Sequence, residues 1–130
     1  MMTPFESEIV VQQGDLDDLY HVNNVRYVQW IQDISKEHWQ KKAPETLKKE
    51  VIWVVLNHNI TYKSAAKLDD HIIIRTHIAK TKGAISTRIV EMFHAITKQP
   101  IVYAKTEWCM LNAITFKPMR ISEDIQNIFV

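Results

Sequence analysis

The sequence predicts an α+β fold in which one antiparallel five-stranded sheet wraps around one long helix. Two observations lead to this prediction: a single amphipathic helical segment, and five runs of β-branched and aromatic residues separated by short turns. The 130 residues are enough for one hydrophobic core but not for two. We therefore expect residues 1–130 to form a single domain.

The first elements are one strand and the helix. Residues 5–12 (FESEIVVQ) have the composition of a strand, and residues 14–18 are rich in turn and cap formers. From about Asn23 to Gln40, polar residues recur at three- and four-residue steps, and we expect Pro44 to end the helix. The predicted apolar face consists of Tyr27, Trp30, Ile31 and Ile34.

Everything after Glu50 is predicted as strands. The four runs are VIWVVLNHNITY, HIIIRTHIA, ISTRIVEMFHAI and IVYAKTEWCMLN, and the turn-prone segments KLDD, TKG and TKQP separate them. Such short separators favour antiparallel hairpins. In the second run, Ile72, Ile74, Thr76 and Ile78 fall on one face, and Ile73, Arg75, His77 and Ala79 fall on the other. We expect one of these two faces to be buried.

Composition and charge exclude several classes of function. The formal net charge is +1, from 16 basic and 15 acidic residues, and the signs are mixed along the chain, which argues against a nucleic-acid partner. We interpret the run Lys41, Lys42, Lys48 and Lys49 as a solvated helix end or loop. Without a signal peptide or a long apolar segment, we expect a cytoplasmic protein that does not enter a membrane.

Cysteine and histidine give no sign of redox or metal chemistry. The only cysteine, Cys109, cannot form an internal disulfide and lies in a strand pattern, so we expect a structural thiol. The histidines show no HExxH or Cys-His spacing. We therefore predict no metal and no cofactor.

The residues with chemical potential are concentrated between the first strand and the helix, in residues 14–27 (GDLDDLYHVNNVRY). A helix N-terminus offers unpaired backbone N–H groups and a partial positive charge, which can hold an oxyanion. Structural roles are also open for each residue. One of the three aspartates could cap the helix, His21 could be a half-buried structural histidine, and the asparagines could be cap or turn residues.

This segment resembles the signature of the hotdog thioesterases, Asp-x-Asp-x-x-x-His-Val-Asn-Asn-x-x-Tyr. It is similar to the 4-hydroxybenzoyl-CoA thioesterase-like enzymes and especially to acyl-ACP thioesterases, through Asp15-Leu16-Asp17 and His21–Val25. Tyr27 and Trp30 also match, and residues 60–70 and 117–121 resemble the family more loosely. The resemblance implies a hotdog fold.

The resemblance also implies roles for individual residues. Asp17 would be the catalytic residue, either as general base toward water or as nucleophile on the thioester carbonyl, and His21 would orient the site or assist proton transfer. The backbone N–H groups of Tyr20, His21 and Val22 would form the oxyanion hole. The implied substrate-binding residues are Asn23, Asn24 and Tyr27.

Two differences from the family stand out. Many relatives have glycine where this chain has Tyr20. Plant-type acyl-ACP enzymes carry an additional asparagine and a Glu-Cys pair, where this chain has Leu19 and Ala65-Ala66. That fuller catalytic set is absent.

The expected function is hydrolysis of an acyl thioester in fatty acid metabolism, with acyl-CoA preferred and acyl-ACP as the other carrier. Two alternatives are a non-catalytic acyl-thioester binding module and a hotdog hydroxyacyl-thioester dehydratase. The resemblance implies a homodimer or a tetramer of dimers that shares the active site between subunits. The length and the aliphatic or aromatic character of the acyl group stay open.

Overall fold

The computed structural model describes residues 4–130 and contains one five-stranded antiparallel sheet. Met1, Met2 and Thr3, which belong to the N-terminal segment where no signal peptide is expected, lie outside the described residues. The strand order is β1-β3-β4-β5-β2, so β1 and β2 are the edge strands. The strands are β1 (Phe5–Val10), β2 (Val51–Tyr62), β3 (His71–Lys82), β4 (Ile85–His94) and β5 (Pro100–Asn112). This confirms the predicted α+β fold class.

The long helix α1 (Asn24–Lys42) lies against the sheet and continues two residues beyond the predicted end. Ala43, the residue before Pro44, has extended backbone and donates its N–H to the Trp39 carbonyl at 2.9 Å, which closes the last turn. The predicted apolar face is confirmed, because Tyr27, Trp30, Ile31 and Ile34 are all buried. Further along the helix, Ser35, His38 and Trp39 are buried as well.

Three short elements were not predicted. They are a 3-10 turn (Gln13–Asp15), helix α2 (Glu45–Glu50) and helix α3 (Glu123–Ile128). The interpretation of everything after Glu50 as strands was therefore wrong at the C-terminus, where the Ser122 side chain caps α3 by accepting from the Ile125 N–H at 3.3 Å. Lys48 and Lys49 lie within α2.

The core has two parts, which follow the two ends of α1. The first lies under the N-terminal half, where Ile31 and Ile34 pack with the inner faces of the strands. The predicted alternation in β3 is confirmed there, because Ile72, Ile74 and Thr76 are buried. The second part gathers at the C-terminal end of α1 and includes Trp39, Met110, Ile121 and Phe129. Cys109 is buried and makes no disulfide.

Candidate active site

The segment between β1 and α1 folds into a compact loop that is held on two sides. Within the loop, Leu16 and Val22 form an isolated antiparallel bridge, and the Asp17 N–H donates to the His21 carbonyl at 2.7 Å. A second bridge joins His21 to Lys67 in the connection between β2 and β3, and the Val22 N–H donates to the Ala66 carbonyl at 2.9 Å. The loop is therefore fixed in place immediately before α1.

The backbone holds the Asp17 carboxylate by one of its two oxygens. Its Oδ1 accepts two backbone hydrogen bonds, from Leu19 N–H at 2.9 Å and from His21 N–H at 3.2 Å. Oδ2 has no hydrogen-bond partner within residues 4–130, and the residue is only half-buried. One oxygen thus orients the carboxylate while the other stays free to accept a proton or attack a carbonyl.

The neighbouring aspartates have different roles. Asp15 is buried, its Oδ2 accepts from the Gln12 N–H at 2.8 Å, and its Oδ1 lies 2.8 Å from Arg26 Nε. This ion pair attaches the 3-10 turn to the first part of α1. Asp18 is exposed. None of the aspartates caps α1, because the N-cap is Asn23, whose side chain accepts from the Val25 N–H at 3.0 Å.

The three N–H groups predicted as oxyanion donors are already paired inside the protein. Tyr20 donates to the Asp17 carbonyl at 3.1 Å, His21 to Asp17 Oδ1, and Val22 to the Ala66 carbonyl. The structure therefore does not present them to a ligand. The first residue of α1, Asn24, does have a free N–H, for which the described part of the chain supplies no acceptor.

The other predicted site residues also include some polar groups that are paired and some that are free. Asn24 is exposed beside the free N–H, whereas Asn23 is exposed but uses its side-chain oxygen as the cap. The imidazole of His21 is half-buried and forms no hydrogen bond or salt bridge to the residues that the structure describes. These groups belong to the same loop and helix start as Asp17.

Tyr27 differs from its predicted role as a substrate-binding residue. Only 2% of it is exposed, its ring contacts those of Trp30 and Tyr62, and its hydroxyl accepts from the Ala66 N–H at 3.2 Å. Burial is the main cause that raises the pKa of this hydroxyl, so it stays protonated. Tyr27 therefore positions the loop rather than contacting a ligand.

Sequence reasoning missed the part that Ala66 and Lys67 play. Ala66 is fully buried, accepts from Val22 N–H and donates to the Tyr27 hydroxyl, so its backbone joins the active-site loop to α1. The position was noted only as a difference from plant-type relatives, and alanine carries no side-chain signal for such a role. The pairing depends on backbone atoms alone.

Two further properties concern metals and membranes. Within residues 4–130, no three His, Cys, Asp or Glu side chains lie close enough together to hold a metal ion. In the same range, none of the helices has the length and apolar character that crossing a membrane requires.

Comparison with known proteins identifies the family of this chain. The fold is similar to that of a probable thioesterase, YbaW, from Escherichia coli, with TM-score 0.86, 20% identity, and coverage of 98% of this chain and 96% of that one. A 1,4-dihydroxy-2-naphthoyl-CoA thioesterase from Synechocystis gives TM-score 0.84 at 14% identity, with coverage of 98% and 96%.

A 12:0-ACP thioesterase from Umbellularia californica gives TM-score 0.82 at 11% identity and covers 98% of this chain but 51% of that one. A comparison with curated protein sequences gives no match. The model of one family, described as the acyl-ACP thioesterase N-terminal domain, matches residues 3–129. The chain belongs to the acyl-ACP thioesterase family and has the hotdog thioesterase fold.

Proposed function

We propose that this protein hydrolyses an acyl thioester to a free acid and a thiol, with Asp17 as the catalytic residue. Family membership supports thioester hydrolysis in general. The observation that carries the specific proposal is that two features lie in one short segment of the chain. Asp17 Oδ2 has no partner among residues 4–130, and Asp17 belongs to the loop that leads directly into the N-terminus of α1, where the Asn24 N–H is free within the same residues.

The chemistry follows from these two features. The thioester carbonyl oxygen lies at the Asn24 N–H, where the positive end of the 19-residue helix α1 stabilises the negative charge that develops on it. Asp17 Oδ2 then either removes a proton from the attacking water or attacks the carbonyl carbon itself. In both routes the C–S bond breaks and the thiolate leaves. In the second route, water then hydrolyses the anhydride between the acyl group and Asp17, which releases the free acid and restores the carboxylate.

The remaining residues of the loop hold the site in place or orient the reactants. Two of the predicted oxyanion donors, the N–H groups of Tyr20 and His21, hold the Asp17 turn, and the third, that of Val22, fixes the loop to Ala66. In this proposal the His21 imidazole orients water or assists proton transfer. Asn23 and Asn24 flank the acyl carrier at the start of α1.

CoA is the proposed carrier, with acyl carrier protein as the alternative. A structurally similar protein from Staphylococcus aureus, with TM-score 0.85 and 12% identity, has been solved in complex with CoA, which supports CoA. The similarity to a 12:0-ACP thioesterase supports the alternative. Initial rates on one acyl group attached to each carrier decide between them.

The test is the variant Asp17→Asn. Asparagine keeps the size of the side chain and an oxygen that accepts the two backbone N–H groups, but it lacks a basic carboxylate. We expect thiol release from a panel of acyl-CoAs to fall by about 10² to 10⁴, with the fold retained. Asp18→Asn is the matched control, because Asp18 is an exposed neighbour with no assigned chemistry.

Equal rates in the two variants and the parent would contradict the aspartate mechanism. A parent protein that binds acyl-CoA without releasing thiol would be a binding module, and one that dehydrates a hydroxyacyl-CoA would be a dehydratase. Each of these results is distinct from loss of hydrolysis in Asp17→Asn alone.

A further inference from the structure

The active-site loop pairs at both of its ends with one short segment, residues 66–70, which lies in the connection between β2 and β3. At the start of the loop, the Val11 N–H donates to the Asp70 carbonyl at 2.9 Å. At the end of the loop, the backbone of the same segment pairs with His21 and Val22. The shape of this segment therefore sets the distance between the two ends of the loop.

The C-terminal part of the segment forms a turn that is closed by two reciprocal hydrogen bonds. The Asp70 N–H donates to the Lys67 carbonyl at 3.1 Å, and the Lys67 N–H donates to Asp70 Oδ2 at 2.9 Å. Asp69, inside the turn, has a φ of 69°, in the left-handed region that aspartate tolerates better than most residues. The Lys67 N–H has no other acceptor within residues 4–130. The Asp70 carboxylate is therefore the group that closes the turn.

The other carboxylate oxygen of Asp70 faces the turn between β4 and β5. This Oδ1 lies 3.5 Å from His94 Nε2. The Nδ1 of the same ring accepts from the Ile96 and Thr97 N–H groups, both at 3.3 Å, so the hydrogen of the neutral ring is on Nε2. The ring therefore directs an N–H toward Asp70, and both side chains are half-buried. His94 thus orients the carboxylate that closes the turn.

The turn reaches the reacting group through backbone atoms alone. Without the carboxylate, the Lys67 N–H has no acceptor in the described chain, and an unpaired backbone donor favours conformations that expose it to water. Such a change shifts the contact with Val11 relative to the contact with Val22, and with them the loop that orients Asp17. A displacement of about 1 Å at a reacting group can lower a rate about 10²-fold.

We propose that Asp70 is a positioning residue for thioester hydrolysis: its carboxylate, oriented by His94, closes the turn that holds both ends of the Asp17 loop. Asp70 contacts no reacting atom and acts through the backbone of residues 66–70. The inference rests on the proposed function, since positioning affects a rate only if Asp17 carries the reaction. Control of the loop by Asp70 can also be measured without any activity.

Two changes at position 70 are compared by thiol release from the acyl-CoA that the parent hydrolyses fastest. Asp70→Ala removes the acceptor and should lower kcat about 10-fold or more, with KM within about 3-fold, because the start of α1 keeps its own contacts. Asp70→Asn keeps an oxygen that accepts the Lys67 N–H, so kcat should recover to within about 3-fold of the parent. Parental kcat in folded Asp70→Ala, or no recovery in Asp70→Asn, would overturn the proposal.

Two controls separate positioning from stability and from charge. Ser122→Ala removes the side-chain cap of α3, outside the loop and outside residues 66–70, so it should lower stability and leave kcat unchanged. Asp69→Asn removes a charge from an exposed neighbour whose side chain has no hydrogen bond within residues 4–130, and asparagine tolerates the positive φ, so kcat should again be unchanged. A loss of kcat in either control as large as that in Asp70→Ala would contradict a specific role for Asp70.

Amide hydrogen exchange, measured by NMR on the full chain, tests the turn without substrate. In the parent protein, the Lys67 N–H should exchange at least about 10-fold more slowly than the free Asn24 N–H. In Asp70→Ala, exchange at Lys67 and Val22 should become at least about 10-fold faster, whereas amides in the middle of β3 should be unchanged.

The exchange rates distinguish failure of this inference from failure of the proposed function. Unchanged exchange at Val22 in Asp70→Ala would overturn the positioning role, whether or not the protein is active. A parent protein that releases no thiol would contradict the proposed function, and the exchange rates would still decide whether Asp70 holds the loop. If Asp70→Ala does not fold, exchange at Lys67 as fast as at Asn24 in the parent would overturn the proposal.

Discussion

Tyr20 shows how one residue can adopt a conformation that its type disfavours. Its φ is 61°, in the left-handed region, where a side chain clashes with the backbone and glycine is preferred. The resemblance to the family had already singled out this position, because many relatives have glycine there. The structure gives the reason: Asp18 and Leu19 form a turn that the Tyr20 N–H closes on the Asp17 carbonyl, and the positive φ of the residue after this turn brings the His21 carbonyl to the Asp17 N–H.

This geometry predicts that glycine is favoured over valine at position 20 but not at position 19. Tyr20→Val should lower the free energy of unfolding by about 1 to 2 kcal/mol relative to Tyr20→Gly, because a β-branched side chain is poorly accommodated at positive φ. Both variants are compared by urea denaturation. Leu19 is also exposed but has no positive φ, so the same pair of changes there should not favour glycine.

His38 makes stability depend on pH. It is 1% exposed, stacks on Phe5 at 4.8 Å between ring centroids and lies beside Arg88. Burial is the first cause that lowers its pKa to about 4, and the positive charges of Arg88 and Lys42 add to it. The folded protein therefore keeps this imidazole neutral where the unfolded chain protonates it.

The sign of the effect follows from this pKa. The contribution of neutral His38 to the free energy of unfolding should be fully present above about pH 6.5, the pKa of histidine in the unfolded chain. It should be lost as the pH falls toward 4, by up to about 3 kcal/mol. His38→Gln removes the titrating group, so its free energy of unfolding should depend less on pH in this window. Parallel pH profiles for parent and variant, from urea denaturation, would show that His38 does not carry the effect.

The N-terminus of α1 is the element on which the proposed site depends. Asn23 caps it, Tyr27 bonds it to Ala66, and Arg26 pairs it with Asp15. The three contacts reach the cap residue, the β2–β3 connection and the 3-10 turn. The helix start is therefore held before any substrate arrives, as catalysis by fixed dipoles requires.

A pair of alanine variants distinguishes the capping residue Asn23 from its neighbour Asn24. Asn23→Ala should lower the free energy of unfolding by about 1 kcal/mol, because the Val25 N–H loses its acceptor. Asn24→Ala should have a smaller effect, since Asn24 is exposed and its side chain has no hydrogen bond in the described residues. If Asn24→Ala costs as much stability as Asn23→Ala, the cap is not specific to Asn23.

At the scale of the whole molecule, the sheet ends on a long strand with one neighbour among the strands of residues 4–130. β2 spans 12 residues, pairs with β5 alone in that range, and exposes Val54, Val55, Leu56 and Tyr62. An exposed apolar edge of this length favours pairing with another strand. We expect a second copy of the chain to pair there, in line with the dimer that the family resemblance implies.

Leu56→Lys tests this assembly. A charge in the middle of β2 should oppose pairing between two copies, so sedimentation should shift from dimer toward monomer at a given concentration, and activity should fall if the subunits share the site. Ile96→Lys is the matched control, because Ile96 is more exposed than Leu56 and lies in a turn. A fully active monomer in the parent protein would contradict the expectation.

The sequence by itself determined the sheet, the helix and the active-site segment, because each is a property of neighbouring residues. Alternation of side chains in β3 follows from backbone geometry alone, and so does the three- and four-residue spacing on α1. The short helices α2 and α3 were missed because six residues are too few for a periodic pattern to stand out.

Only the tertiary structure decided which groups of the segment are free. Nothing in the sequence places Ala66 beside Val22 and Tyr27, and that contact occupies an N–H predicted as a donor and buries a predicted ligand contact. Likewise, the sequence shows Arg88 only as one residue of a strand. Its burial away from carboxylates arises when β4 joins the sheet and α1 packs over it. Local spacing sets secondary structure, whereas hydrogen-bond partners and desolvation depend on segments that are distant in sequence.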